Sequence, residues 1–451
     1  MSAWKDTFGG LAAQLRPLGR VESGRRVLAL LALGLLACRI EEGADWRTLR
    51  NKAANAGDDG TFYHALVALA RCVEERVPTL EGVFTASLIG DVAHAGAALP
   101  QLVLMAARMV ELRAAEDVPE AEFFDAAVAE FGQGGGPAGE PGISRPLAEL
   151  MVDLLQPRPA SSVLDPRCGV ATTLLEVSRR EPSCRVRGFD LNPLVTALAM
   201  LRMHFLGADA EISVADALNQ PIGPETKRRF DHAVCAPPLS VKVPRQERMH
   251  LAGRYNLVKA VVNSEAALLL ECAEALRPGG RAAVLMPIAF LFRSSDAEIR
   301  CRLLQQRQVE GVVTLPTGVV PSTELAFAIV VLRAAGGRTG QVRLVNGEGL
   351  DIRTHRGAER LTAEHIDWLS TTYRDGGADS PVAISVRSSA LLERDGNLRP
   401  QVWLLAPDSS AGDLRVTYQA ALAAEREAAA IAERIDGLPI VSELDRRFLR
   451  D

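Results

Sequence analysis

Val163-Leu164-Asp165-Pro166-Arg167-Cys168-Gly169-Val170-Ala171-Thr172 is the stretch on which the fold turns. An apolar segment ends on an acidic residue, a turn of small residues follows, and a helical pattern begins at Thr172. Such a turn lets backbone approach a nucleotide-like ligand closely, and its carboxylate can accept from an amino group. One strand-to-helix turn of this kind is common and decides little. Two further acids stand in the same relation to apolar segments: Asp190 in Arg187-Gly188-Phe189-Asp190-Leu191-Asn192-Pro193, and Asp216 in Val214-Ala215-Asp216-Ala217-Leu218. A lone Asp is usually a cap or turn former. Three in chain order, each closing a strand, suit a ligand with ribose hydroxyls at the second acid and an adenine amino group at the third.

Outward from this centre the chain alternates. The pattern predicts strands at Ser162–Leu164, Val186–Asp190, Ile212–Val214, Asp231–Cys235, Ala282–Met286, Val309–Leu315 and Ala326–Leu332. Helices are predicted at Leu147–Leu155, Thr172–Arg180, Leu194–Phe205, Ser264–Leu276 and Asp296–Gln306. Alternation of this length implies a mostly parallel sheet covered on both faces, with ligands at the carboxyl ends of its strands. Upstream, Leu28, Leu31, Leu35 and Leu36 recur at helical spacing, as do Leu66, Leu69 and Ala70, so residues 1–131 read as an all-helical domain. Gly132 to Gly142 holds six glycines and two prolines, a composition that reads as a linker. The sheet domain is expected over 143–360 and a C-terminal extension over 361–451, with a helix at Val416–Ile435 stopped by Gly437 and Pro439.

A net charge of −5 argues against a chain that grips duplex DNA alone, so any DNA contact is expected to depend on a partner. Clusters such as Arg25-Arg26 and Lys227-Arg228-Arg229 read as solvated surface. The seven scattered cysteines form no C-x-x-C pair, which points to a reducing compartment and against a zinc site. His232 and Cys235 read as a strand edge and a buried thiol. Val27 to Ile40 is apolar but too short to span a bilayer, and the acidic residues before it are unlike a signal peptide. A cytoplasmic protein with no membrane segment is expected.

The fourth cluster is Phe230-Asp231-His232-Ala233-Val234-Cys235-Ala236-Pro237-Pro238-Leu239-Ser240. Two prolines after an apolar strand force the chain out of the sheet. With this cluster in place, the order of the four resembles the adenine-N6 DNA methyltransferases, whose first motif reads Asp-Pro-x-Cys-Gly-Ser-Gly-Gly and whose fourth reads Asn or Asp-Pro-Pro-Tyr or Phe. The chain is similar over almost its whole length to the modification subunit of type I restriction-modification systems. Leu15-Arg16 through Leu35-Leu36, Arg145-Pro146-Leu147 through Leu154-Leu155, Leu276 through Pro287, Leu291-Phe292-Arg293 and Leu392 through Leu398 carry that likeness. The resemblance implies a class I S-adenosylmethionine-dependent methyltransferase fold, Rossmann-like, with a seven-stranded mostly parallel sheet. It also implies S-adenosylmethionine as cofactor, held by Asp165, Cys168, Gly169, Asp190 and Asp216, and a specificity-type subunit or other protein as partner.

The departures bear on catalysis. Ala236 stands where the family has its catalytic Asn or Asp, and Leu239 where it has the aromatic; Pro237 and Pro238 are retained. In the family the flipped adenine donates an N6 hydrogen bond to the side-chain oxygen of this motif. Alanine has no acceptor, and losing one preorganised group of this kind typically costs about 10²–10³ in rate. Leucine cannot stack on the base, a contact worth roughly 1–3 kcal/mol. Val170-Ala171-Thr172 replaces Ser-Gly-Gly, Ile143-Ser144 replaces Thr-Pro, and Ile288-Ala289 replaces Asn-Gly. If position 171 needs a positive φ, its Cβ costs roughly 1–2 kcal/mol. The leading expectation is a catalytically impaired, cofactor-binding homologue with a regulatory, structural or partner-dependent role. A methyltransferase acting on a small molecule or protein, and a working adenine-N6 DNA methyltransferase, are the alternatives.

Overall fold

The computed structural model describes residues 10, 20–40, 43–55, 61–131, 142–216, 228–238, 241–320, 323, 325–337, 340–352, 361–375 and 379–404. The expected linker, apart from Gly142, lies outside these residues, as do Leu239 and the helix expected at Val416–Ile435.

The N-terminal part is helical. Its main helices are α1 (Arg20–Cys38), α2 (Ala44–Ala54), α3 (Thr61–Arg76), α4 (Ile89–Ala93), α5 (Leu99–Ala115) and α6 (Glu120–Phe131). α1 is apolar on nearly every side from Val27 to Ala37, and those side chains are buried against the other helices. A helix apolar all round is a core helix. Among the described residues no single helix is long and apolar enough to cross a membrane.

Helices α7 (Arg145–Leu155), α8 (Thr172–Arg180), α9 (Pro193–Leu206), α10 (Arg245–Arg254), α11 (Ser264–Ala275), α12 (Ala297–Gln305) and α13 (Ala363–Arg374) accompany the sheet. Its strands are β1 (Ser162–Asp165), β2 (Arg185–Asp190), β3 (Ala210–Val214), β4 (Phe230–Cys235), β5 (Leu276–Pro287), β6 (Val309–Thr314), β7 (Phe327–Arg333), β8 (Gln341–Asn346) and β9 (Ala383–Arg387). They form one sheet in the order β3-β2-β1-β4-β5-β7-β6-β8-β9. β3 through β5 run parallel; β7 lies antiparallel between β5 and β6.

The alternation of side chains explains why both faces are covered. Leu164, Ala233 and Val284 face one core, with α11 and α12; Val163, Val234 and Leu285 face the other, with α7, α8 and α13. All six are buried, as strands enclosed on both faces require.

The seven strands expected from sequence are all present, but the described sheet has nine. β8 pairs parallel with β6, and β9 pairs antiparallel with β8. β9 and α13 come from beyond residue 360, so part of the expected C-terminal extension builds the sheet. β5 begins at Leu276 rather than Ala282, where Pro278-Gly279-Gly280 hid a strand behind turn-forming residues. His232 is not at a strand edge. β4 pairs with β1 on one side and β5 on the other, and the His232 ring is buried with neither nitrogen partnered among the described residues. Burial pushes its pKa down to about 4, so it stays neutral.

The two halves share a core. Ala197, Leu198, Leu201 and Phe205 of α9 pack within the helical cluster of the N-terminal part, and the Phe124 and Phe205 rings lie 4.9 Å apart.

Candidate functional site

Strand order reverses between β1 and β4, the point at which doubly wound sheets open a crevice at their carboxyl ends. The sequence places Asp165 at one lip of that crevice and Ala236-Pro237-Pro238 at the other.

From Asp165 the chain folds into a tight, self-supporting turn. The buried Asp165 carboxylate accepts from the Arg167 amide at 3.0 Å. The Cys168 amide donates to the Phe189 carbonyl at 2.8 Å, and the Gly169 amide to Asp190 Oδ2 at 3.2 Å. These bonds tie the β1 turn to the end of β2. Gly169 has φ +55° and open space where a Cβ would project. Gly188 is glycine for a different reason: a Cβ there would lie 2.9 Å from Cys168 Sγ and 2.7 Å from Ile212 Cδ1. Cys168 is therefore a packing group under the turn, and burial raises its pKa so that it remains a thiol. Ala171 closes the turn at φ 61°, ψ 30°, in the left-handed region that glycine adopts freely.

Asp190 is almost fully enclosed. Its Oδ1 accepts from the Asn192 amide at 2.9 Å, and its Oδ2 pairs with Arg167 Nε at 3.2 Å. Asn192 in turn caps α9, its Oδ1 accepting from the Leu194 amide at 3.0 Å, and Pro193 stands in the first turn. Leu191, beside Asp190, leaves 51% of its surface exposed at the crevice end of β2, an apolar group the sequence alone did not single out. Asp216 is half-buried just past β3, and the preceding Ala215 amide donates to the Asp190 carbonyl at 3.0 Å.

Asp165 carries the perturbation that matters. Burial, reinforced by the neighbouring Asp190 charge, pushes its pKa up to about 8, against the Arg167 amide bond and guanidinium, which lower it. Below that value it is mostly protonated, so the acceptor expected from sequence carries a proton at neutral pH. On the other lip, Ala236 is half-buried and Pro237 buried. The structure thus gathers Asp165, Cys168, Gly169, Asp190 and Asp216 at one end of the crevice, with Ala236 across from them.

A reversed doubly wound sheet with acids ending its first two strands and following its third, and β7 inserted antiparallel, defines a class I S-adenosylmethionine-dependent methyltransferase fold. A profile of the N-6 DNA methylase family matches residues 126–410, and the chain belongs to that family. It is 25% identical over 207 residues to the EcoKI methylase subunit of Escherichia coli K12, a match covering 40% of this chain and 38% of that one. It is 23% identical over 256 residues to the MpnII methylase subunit of Mycoplasma pneumoniae, covering 52% and 47%. These matches span less than half the length of the curated relatives. In three dimensions the chain is similar to the type I restriction-modification methyltransferase subunit of Streptococcus thermophilus, with a TM-score of 0.65 at 17% identity, covering 88% of this chain and 97% of that one.

The residues present fit the family's cofactor, S-adenosylmethionine. The space above Gly169 is open, an apolar side chain stands exposed at Leu191, and a carboxylate closes β2.

Proposed function

We propose that this chain is a cofactor-binding homologue of the type I modification subunit in which adenine-N6 methylation is disabled, and that it acts through a protein partner. The observation that carries this reading is Ala236: at the lip of the crevice, directly after β4, a methyl group stands where the family has a hydrogen-bond acceptor.

S-adenosylmethionine, when bound, supplies an electrophilic methyl group on its sulfonium. The chain's own residues divide the work of holding it. Asp190 would accept from the ribose hydroxyls, which would require Arg167 to yield part of its hold on Oδ2. Asp216 would accept from the adenine amino group, and the exposed Leu191 would offer the ring an apolar contact. The Gly169 turn would let backbone approach, and Asp165, its proton released to solvent, would offer a carboxylate to the cofactor's positive charge. Nothing at Ala236 then aligns an adenine amino nitrogen with the methyl group, because Ala236 has no side-chain oxygen. The net charge of −5 supports DNA contact through a specificity-type partner rather than by this chain alone. Seven free thiols suit the cytoplasm.

The test is a methylation assay with labelled S-adenosylmethionine, DNA of varied sequence and a specificity subunit. Binding without N6-methyladenine is expected. Robust N6-methyladenine from wild type, abolished by Pro237→Ala or Asp216→Ala, would sink this reading, and turnover to S-adenosylhomocysteine with another acceptor would favour a non-DNA substrate.

A further inference from the structure

The turn that closes on Ala171 is held from outside the sheet domain. Arg202, on α9 and buried, donates through Nη1 to the Val170 carbonyl and to Thr172 Oγ1, the latter at 3.1 Å. Its other terminal nitrogen, Nη2, binds Asp125 Oδ1. Asp125 belongs to α6 of the N-terminal helical part, and its second oxygen, Oδ2, takes Arg179 Nη2 of α8 at 2.7 Å. Arg179 also pairs with Glu176, which Arg145 of α7 approaches at 3.2 Å. One carboxylate of the helical part therefore fixes two arginines of the sheet domain, one on α8, into which the turn leads, and one on α9, which grips the turn.

The energetics make this more than a surface contact. A buried guanidinium needs a counter-charge, and removing it leaves an uncompensated charge at substantial cost. Asp125 supplies that charge. Burial alone would raise its pKa, yet Arg202 and Arg179 together hold it below the usual carboxylate range, so it stays ionised. Meanwhile the segment Arg202 grips contains a non-glycine residue at positive φ, a conformation that persists only where surroundings over-determine it. The Val170 carbonyl and the Thr172 hydroxyl flank Ala171 on either side.

We propose that Asp125 is a positioning residue for the cofactor turn: through Arg202 it holds residues 170–172 in the shape that receives the cofactor, so that affinity depends on this one charge contact from α6 rather than on the apolar packing of the helices around it. This rests on the reading of the turn as the cofactor site. Asp125 touches no cofactor atom in this scheme; it acts only through Arg202. Bound S-adenosylmethionine would in turn tighten the junction between the helical part and the sheet, since coupling between two sites is reciprocal.

The experiment uses the full chain. Asp125→Asn keeps the size and removes the charge. Binding of S-adenosylmethionine is measured by calorimetry, and amide hydrogen exchange over residues 168–175 is followed in the absence of cofactor. Weakening by about tenfold is expected, the scale of one lost charge-assisted contact, together with faster exchange at Ala171 and Leu175, and Asp125→Glu should recover part of both. Phe124→Leu serves as control: it thins the Phe124–Phe205 contact and lowers the melting temperature, but leaves affinity and turn exchange as in wild type. Should Asp125→Asn not fold, Thr172→Val removes one of the two loop contacts of Arg202 and is read the same way. Turn exchange and affinity unchanged in Asp125→Asn, or changed equally in Phe124→Leu, would overturn the proposal. A wild-type protein that binds no S-adenosylmethionine would instead overturn the cofactor reading, and the exchange measurement would still decide whether Asp125 holds the turn.

Discussion

Replacing Ala171 by glycine tests whether the turn is as left-handed as its dihedrals indicate. At φ 61° the alanine Cβ costs roughly 1–2 kcal/mol, which glycine relieves. Against that, glycine loses about 0.5–1 kcal/mol more backbone entropy on folding. The Ala171 methyl is fully buried, and its removal forfeits about 0.8 kcal/mol of transfer free energy. The opposing contributions cancel to within about 1 kcal/mol, so Ala171→Gly should be nearly neutral. Ala199 provides the contrast. It is equally buried, packs in the same core, and sits inside α9 with ordinary helical geometry. There glycine loses helix propensity of about 1 kcal/mol and the same methyl, with nothing relieved, for a cost of about 2 kcal/mol. Urea unfolding of the two variants, read as the shift of midpoint against wild type, compares them directly. Equal destabilisation by both would refute the argument, because it would mean that no strain is stored at position 171.

Asp190→Ala should weaken S-adenosylmethionine binding by roughly 30–150-fold, the loss of hydrogen bonds to a charged acceptor, and unchanged affinity in calorimetry would show the pocket misplaced. Cofactor binding should strengthen as pH rises. With Asp165 pushed up to about 8 in the free protein, a cationic ligand must first displace its proton, so affinity climbs toward that value and levels above it. Asp165→Asn should flatten the profile, and a wild-type profile already flat between about pH 6 and about pH 9 would contradict the assignment. The isolated chain should bind duplex DNA weakly, without sequence preference and with steep salt dependence; tight sequence-specific binding near physiological salt, measured by fluorescence anisotropy, would remove the need for a partner.

Short-range chemistry makes much of this molecule readable in its sequence. The strand ends at Asp165 and Asp190, the exit at Pro237-Pro238 and the helices after each turn are local events, set by residues within a few positions of one another. β8 and β9 carry no comparable local signal: each is a short segment between loops whose strand character comes from its partners in the sheet. The chain beyond residue 360 reads as an appendage for the same reason. The Arg167–Asp190 pair and the elevated pKa of Asp165 arise from burial and close approach in space, which spacing along a chain does not encode. Asp125 had no signal whatever: its partners stand 54 and 77 residues away.

The four α9 side chains that face the N-terminal helices have a bearing on how the protein can be cut. A composition break near residue 132 invites excision of the sheet as a free-standing fragment. Such a fragment would carry Ala197, Leu198, Leu201 and Phe205 bare to water, where now none is more than 8% exposed. It would also carry Arg202 without its counter-charge. An uncovered apolar stripe of that kind invites self-association. Its soluble expression is thus expected to need either the missing helices supplied in trans or polar replacements along that one face of α9. The seam in the sequence and the seam in the packing fall in different places, and only the second one governs what folds.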